Sequence, residues 1–200
     1  MSSWRDRFNQ FTGRSRFVVC RIFIHLAGDE VAPLLGVLNQ AGRDAIASEG
    51  DLHTLGEGLV EICQSLLQYQ TYWRSAANEG DAIRDEGEAG DYVNELFTDS
   101  AQRYLSAPEL ESAETSPDEL TLPVTQNLVV MITIAAEGEA PELETDLADL
   151  RALQTGLKAI INLHYQERLR AVQVHFSPSR LGDELSTDQL IEFFPELIPL

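Results

Sequence analysis

Two short apolar runs constrain this chain more than any other feature. Phe17–Leu26 carries Phe17, Val18, Val19, Ile22, Phe23 and Ile24, and Leu128–Ala136 reads Leu-Val-Val-Met-Ile-Thr-Ile-Ala-Ala. β-Branched and aromatic residues at this density favour pleated strand, and a run without strict alternation reads as a strand buried on both faces. Each run is far shorter than the roughly 18 apolar residues a membrane span needs. In the first run Arg21 and His25 interrupt the apolar residues and mark a partly exposed face.

Strands buried on both faces require covering helices, and helical stripes are present. Val31, Leu34, Leu35, Leu38 and Ala45 form one; Leu55, Leu59, Ile62, Leu66 and Tyr69 form a second. Val93, Leu96, Phe97 and Tyr104 give a third within 92–104, and Leu143, Leu147, Leu150, Leu157 and Ile160 a fourth, following Pro141. Thr71–Ala77 reads as a short extended segment, and Asn78–Asp91, with six acidic residues and three glycines, as a solvated acidic loop. It fails the calcium-loop pattern, because counting from Asp81 puts Ile83 and Glu86 where an oxygen ligand and a glycine are required. Arg168–Phe176 alternates Val172, Val174 and Phe176 with Gln173 and His175, a strand. Ser186 with Gln189 forms a capping box for a last short helix.

The expected order is βααβα, linker, βαβα. Parallel-type βαβ connections then give an α/β fold with a small sheet of about four strands covered by helices. Residues 1–16 form an N-terminal arm, and 17–200 one α/β domain of two halves, 17–105 and 124–200. The halves are joined by 106–123, a segment rich in Pro, Ser, Thr and acid.

Charge is unevenly divided. The 200 residues carry a formal net charge of −19. Residues 1–21 hold five Arg against one Asp, whereas 22–120 hold four basic against twenty acidic groups. An acidic body of this kind cannot offset phosphate, which argues against nucleic acid as a partner. In the arm, Trp4, Phe8 and Phe11 share one helical face, flanked by Arg5, Arg7, Arg14 and Arg16. Such a segment can lie on an anionic lipid surface, meet an acidic partner, or fold back on its own acidic body. Two further contact candidates are Trp73-Arg74, which also fits a core anchor beside a surface Arg, and Phe193-Phe194 before Pro195.

Catalytic signatures are not found. There is no Gly-x-Ser-x-Gly elbow, no phosphate-cradling P-loop and no His-Glu-x-x-His. His25, His53, His164 and His175 lack ligand spacing, so no catalytic, cofactor or metal residue is assigned. Cys20 and Cys63 sit among apolar neighbours and read as reduced, buried thiols of a cytosol-like compartment.

Several segments resemble one uncharacterised family of cyanobacterial and chloroplast proteins, the domain of unknown function fifteen-seventeen. They are Leu128–Gly138, Arg170–Pro178, Asp183–Leu190 and Phe194–Leu197, with Leu66-Leu67 and Tyr72-Trp73 further upstream. The family commonly has an acidic residue at Gln173, Trp at Phe176, Tyr at Phe194 and Arg at Gln68. The resemblance covers most of 17–200. It implies an oxygenic phototroph and a non-catalytic accessory or regulatory role on a protein complex of the photosynthetic membrane, cytoplasmic or peripheral to the thylakoid, and it supplies no catalytic residues. The competing expectation is an enzyme, hydrolase-like, with an unrecognised carboxylate site. A free-standing oligomer is a third, with net charge opposing dense self-association.

Overall fold

The computed structural model describes residues 16–28, 30–106, 127–179 and 185–200. Five strands, β1 (Phe17–Ala27), β2 (Trp73–Ile83), β3 (Asn127–Glu137), β4 (Leu169–Ser177) and β5 (Ile198–Pro199), form one sheet in the order β4-β3-β1-β2-β5. Among the described residues five α-helices accompany them: α1 (Ala32–Ala47), α2 (Leu52–Gln68), α3 (Glu86–Ser106), α4 (Leu150–Tyr165) and α5 (Thr187–Phe193). The two apolar runs, β1 and β3, pair with each other along their full length, from Phe17↔Glu137 to Ala27↔Asn127. The α/β class and the element order match expectation, with a fifth strand at the C-terminus.

The parallel connections do not. Every adjacent pair is antiparallel. The reason lies in how often the chain crosses the sheet between strands. α1 and α2 form a hairpin joined by residues 48–51, so the chain traverses the sheet twice and β2 returns antiparallel to β1. Between β3 and β4 the first of the two traverses is not helical. The expected helix after Pro141 begins only at Leu150, and 138–149 runs as an irregular climb that delivers Leu143 and Leu147 to the core. Gly138 turns into it at φ +89, its N–H donating to the Arg16 carbonyl. Asp146 and Asp149 accept from the amides of Ala148, and of Arg151 and Ala152, respectively. Those side-chain bonds hold the backbone out of helix until Asp149 caps α4.

The acidic loop expected at 78–91 is also corrected. β2 continues through Asn78 to Ile83, and α3 starts at Glu86, with Asp85 accepting from the Glu88 amide at 2.9 Å. Pairing with β1 imposes strand on residues of poor intrinsic propensity. Gly80 fits because a Cβ there would collide with the Val19 carbonyl. The capping box at Ser186 and Gln189 is present. The expected linker lies almost wholly outside the described residues.

The sheet has two unlike faces. On one, Val18, Cys20, Ile22, Ile24 and Leu26 of β1 and Leu128, Val130, Ile132, Ile134 and Ala136 of β3 pack beneath α1, α2 and α4. Cys20 and Cys63 are free thiols in this core, and burial, with Glu79 adding to it, pushes Cys20 up to about 12. The opposite face carries two smaller apolar clusters. Phe17, Val19, Ile83 and Ala135 meet Ala89, Val93 and Leu96 of α3. Phe23, Ala77, Val129 and Met131 meet Leu185 and Phe194 of the C-terminal segment.

Candidate functional site

Between those two clusters lies a charged line. Arg21 is only 3% exposed, not at a partly open face as the interrupted run suggested. Register places Glu79 opposite it on β2 and Thr133 opposite it on β3. The Arg21 Nε donates to Glu79 Oε1 at 2.8 Å, and its Nη1 donates to Ser100 Oγ at 2.9 Å, to the Leu96 carbonyl at 3.2 Å and to Asp99. Asp99 also accepts from Arg103 Nε at 2.9 Å, and Arg103 reaches Glu196 and the Phe193 carbonyl. Charges therefore alternate Glu79, Arg21, Asp99, Arg103, Glu196 across β2, β1, α3 and the C-terminal segment. Both guanidinium groups also lie over the Phe23 ring, at 4.9 and 5.4 Å from its centroid. Burial pushes Asp99 up, but the hydrogen bond and charge of Arg21, then those of Arg103, outweigh it and hold the carboxyl below its ordinary value.

Glu79 links this line to an open groove of about 460 Å³ that lies over the Asn78–Ala82 stretch of β2 and reaches Val18 and Val19 of β1. One wall is Asn78 to Ala82, and the other is Leu143 to Asp146 of the climbing segment. Asn78 ties the two walls together, its Nδ2 donating to the Thr145 carbonyl at 3.0 Å and its Oδ1 accepting from the Leu147 amide at 2.7 Å. Four acidic residues are among those that line the groove: Glu79, Asp81, Glu144 and Asp146. Arg21 pairs with Glu79 and Arg16 with Glu144. Asp81 and Asp146 hold only backbone amides, those of Ala82 and Ala148, and neither is ion-paired among the described residues.

The expected contact residues are dispersed. Trp4, Arg5, Arg7, Phe8, Phe11 and Arg14 lie outside the described residues. Arg16 is committed to Glu144 at the groove wall. Trp73 is a core residue, 5% exposed, its indole Nε1 without a hydrogen-bond partner among the described residues, and Arg74 is exposed beside it, donating to the Thr71 and Trp73 carbonyls. Phe194 is 2% exposed against Phe23, and Phe193 packs half-buried beside it. Trp73 and Phe194 are therefore spent on the core rather than offered to a partner. His25 bridges three strands, its Nδ1 3.1 Å from Ser75 Oγ and its Nε2 3.1 Å from Asn127 Oδ1. Sequence reading missed Asn78, Asp81, Asp99 and Arg103. The available signal was Arg21 itself, because a charge inside an apolar strand run demands a buried partner.

Among the described residues no three His, Cys, Asp or Glu side chains gather to hold a metal ion, and no helix is long and apolar enough to cross a membrane. What the fold and groove define is an antiparallel α/β scaffold with an open, acidic strand edge. Comparison of the whole chain identifies its family: residues 16–200 match "Protein of unknown function (DUF1517)", and the chain belongs to it. No curated protein and no solved structure shows significant similarity.

Proposed function

We propose that this is a non-catalytic accessory protein that docks on a protein complex of the photosynthetic membrane in an oxygenic phototroph, at its periphery rather than within the bilayer. The observation that carries the binding role is the edge of β2 and the groove beside it: a strand edge with no strand neighbour among the described residues, flanked by acidic residues and braced by the buried Arg21 line. A surface held this firmly loses little entropy when a partner seats on it. The photosynthetic assignment is supported by the resemblance carried by Leu128–Gly138 and Arg170–Pro178. The arm supplies a second contact, to anionic lipid or to the same complex, and Arg16 on Glu144 fixes where it leaves the body.

Affinity capture from solubilised thylakoids tests this reading, with the full chain and with Asp81→Lys and Asp146→Lys together. Recovery of one membrane complex by the parent chain, lost on charge reversal, is the expected result. Recovery of no such complex sinks the photosynthetic role, and equal recovery by both proteins removes the groove from it.

A further inference from the structure

We infer that the open edge of β2, beside this groove, binds an extended, cationic segment of a partner protein as an added sheet strand. β5 pairs only with Ser75 and Ala76, so from Ala77 to Ile83 the outer edge of β2 has no strand neighbour among the described residues. The direction of its backbone groups can be worked out. The Ala82 amide is satisfied by the side chain of Asp81, at 2.7 Å, rather than by β1. β2 pairs with β1 in unbroken register from Ser75 to Ile83, so backbone direction alternates and the Gly80 and Asn78 amides and carbonyls point outward with Ala82. Asn78 and Gly80 thus present amide and carbonyl, and Ala82 its carbonyl, a ladder about 14 Å long, enough for a strand of four or five residues.

Side-chain chemistry selects the occupant. Glu79 and Asp81 lie on the sheet face of Arg21 and Val19, whereas Leu143 belongs to the core cluster of the other face. Leu143 is buried in that core, so a strand added here meets acidic residues, Glu79 and Asp81 on one of its sides and the climbing segment with Asp146 on the other. The matching segment is therefore basic, and extended rather than helical. Asp81 and Asp146 supply charge that no cation among the described residues neutralises. A second copy of this acidic body is a poor fit on the same ground.

The inference rests on the binding role proposed above, but its test does not depend on any membrane complex. The full chain is titrated with a fluorescent peptide alternating Val and Arg over about nine residues, in about 150 mM salt, where the Debye length is about 8 Å. Two further peptides carry backbone N-methyl groups on one or the other alternate set of residues, which keeps every charge. Saturable binding is expected, weakened about tenfold or more by methylation of one set and little by the other. Asp81→Lys with Asp146→Lys weakens it comparably, circular dichroism confirming that the variant is folded. Equal binding of both methylated peptides means charge adsorption and overturns the inference. So does binding unchanged in the variant, or none up to about 1 mM peptide. Binding that appears only after Arg5, Arg7 and Arg14→Gln assigns the groove to the chain's own arm and also overturns it.

Discussion

The two faces of the sheet solve the same problem differently. Under α1, α2 and α4, burial is achieved with apolar side chains from those three helices, four strands and the 138–149 segment, and none of them is charged. Under α3 and the C-terminal segment, two apolar clusters are separated by the line from Glu79 to Glu196. A hydrophobic face tolerates many partners of the right volume, whereas an ion-paired face accepts only the one that supplies the opposite charge at the right place. The first face therefore stabilises. The second sets where α3 and the C-terminus sit, and its Glu79 end reaches the groove.

The largest expected effect is on the apolar face. Ile132→Ala removes a fully buried side chain beneath three helices and should cost about 2–5 kcal/mol, read from the denaturant midpoint at unchanged slope. A much smaller loss would mean that this face is loosely packed and the contrast is false.

Arg21 comes next. Arg21→Ala leaves a cavity and strips Glu79 and Asp99 of their cation, yet both carboxylates are more than 40% exposed and rehydrate. A loss of about 1–3 kcal/mol is expected, below that of a fully buried pair. Arg21→Met, which keeps most of the volume, should recover part of it. If Met and Ala are equally damaging, charge rather than packing dominates this face.

Acidity sharpens the contrast further. Burial lowers His25 below its ordinary 6.5, with Asn127 opposing and Arg74 adding, and burial lowers His175 as well. A group whose folded pKa is depressed binds its proton more readily when unfolded. Its contribution is whole above 6.5 and is lost as pH falls through the folded value. Asp99 obeys the same sign, with its loss beginning only as pH falls below about 4. Stability should thus decline from neutral pH toward 5, then fall again below 4. His25→Gln should flatten the first decline and Asp99→Asn the second. Ile132→Ala should leave both shapes intact, and a change of shape in that variant would contradict the assignment of these titrations to the charged face.

Smallest is Asp81→Asn, at an exposed position on the groove wall. Its stability should stay within about 0.5 kcal/mol of the parent, while peptide affinity drops. A larger loss of stability would make Asp81 a structural residue, holding the Ala82 amide, rather than a recognition residue.

Much of the apolar face was legible from the chain. The runs at 17–26 and 128–136, the stripes of α1 and α2 and the capping box at Ser186 all depend on local periodicity, which survives whatever the tertiary arrangement. The charged face was not. Glu79 stands in a stretch whose glycines and acids read as loop, because strand there is imposed by β1 rather than preferred locally. Asp99 lies on the helical segment that reading did find, but only packing turns it toward Arg21, 78 residues away. Trp73 and Phe194 illustrate the converse: large aromatics look like contacts until the fold buries them in the core.

Residue order alone determined the α/β class, the succession of strands and helices, the uneven charge and the family. The direction of β4 was beyond it, because an irregular climb and a helix each count as one traverse, and only the helix announces itself by period. Whether Arg21 is exposed or buried was equally undetermined, since its partners come from β2 and α3. The groove exists only because β5 stops after two residues and Asn78 holds the 138–149 segment beside an unfinished edge. That outcome belongs to long-range pairing, which no local stretch of sequence encodes.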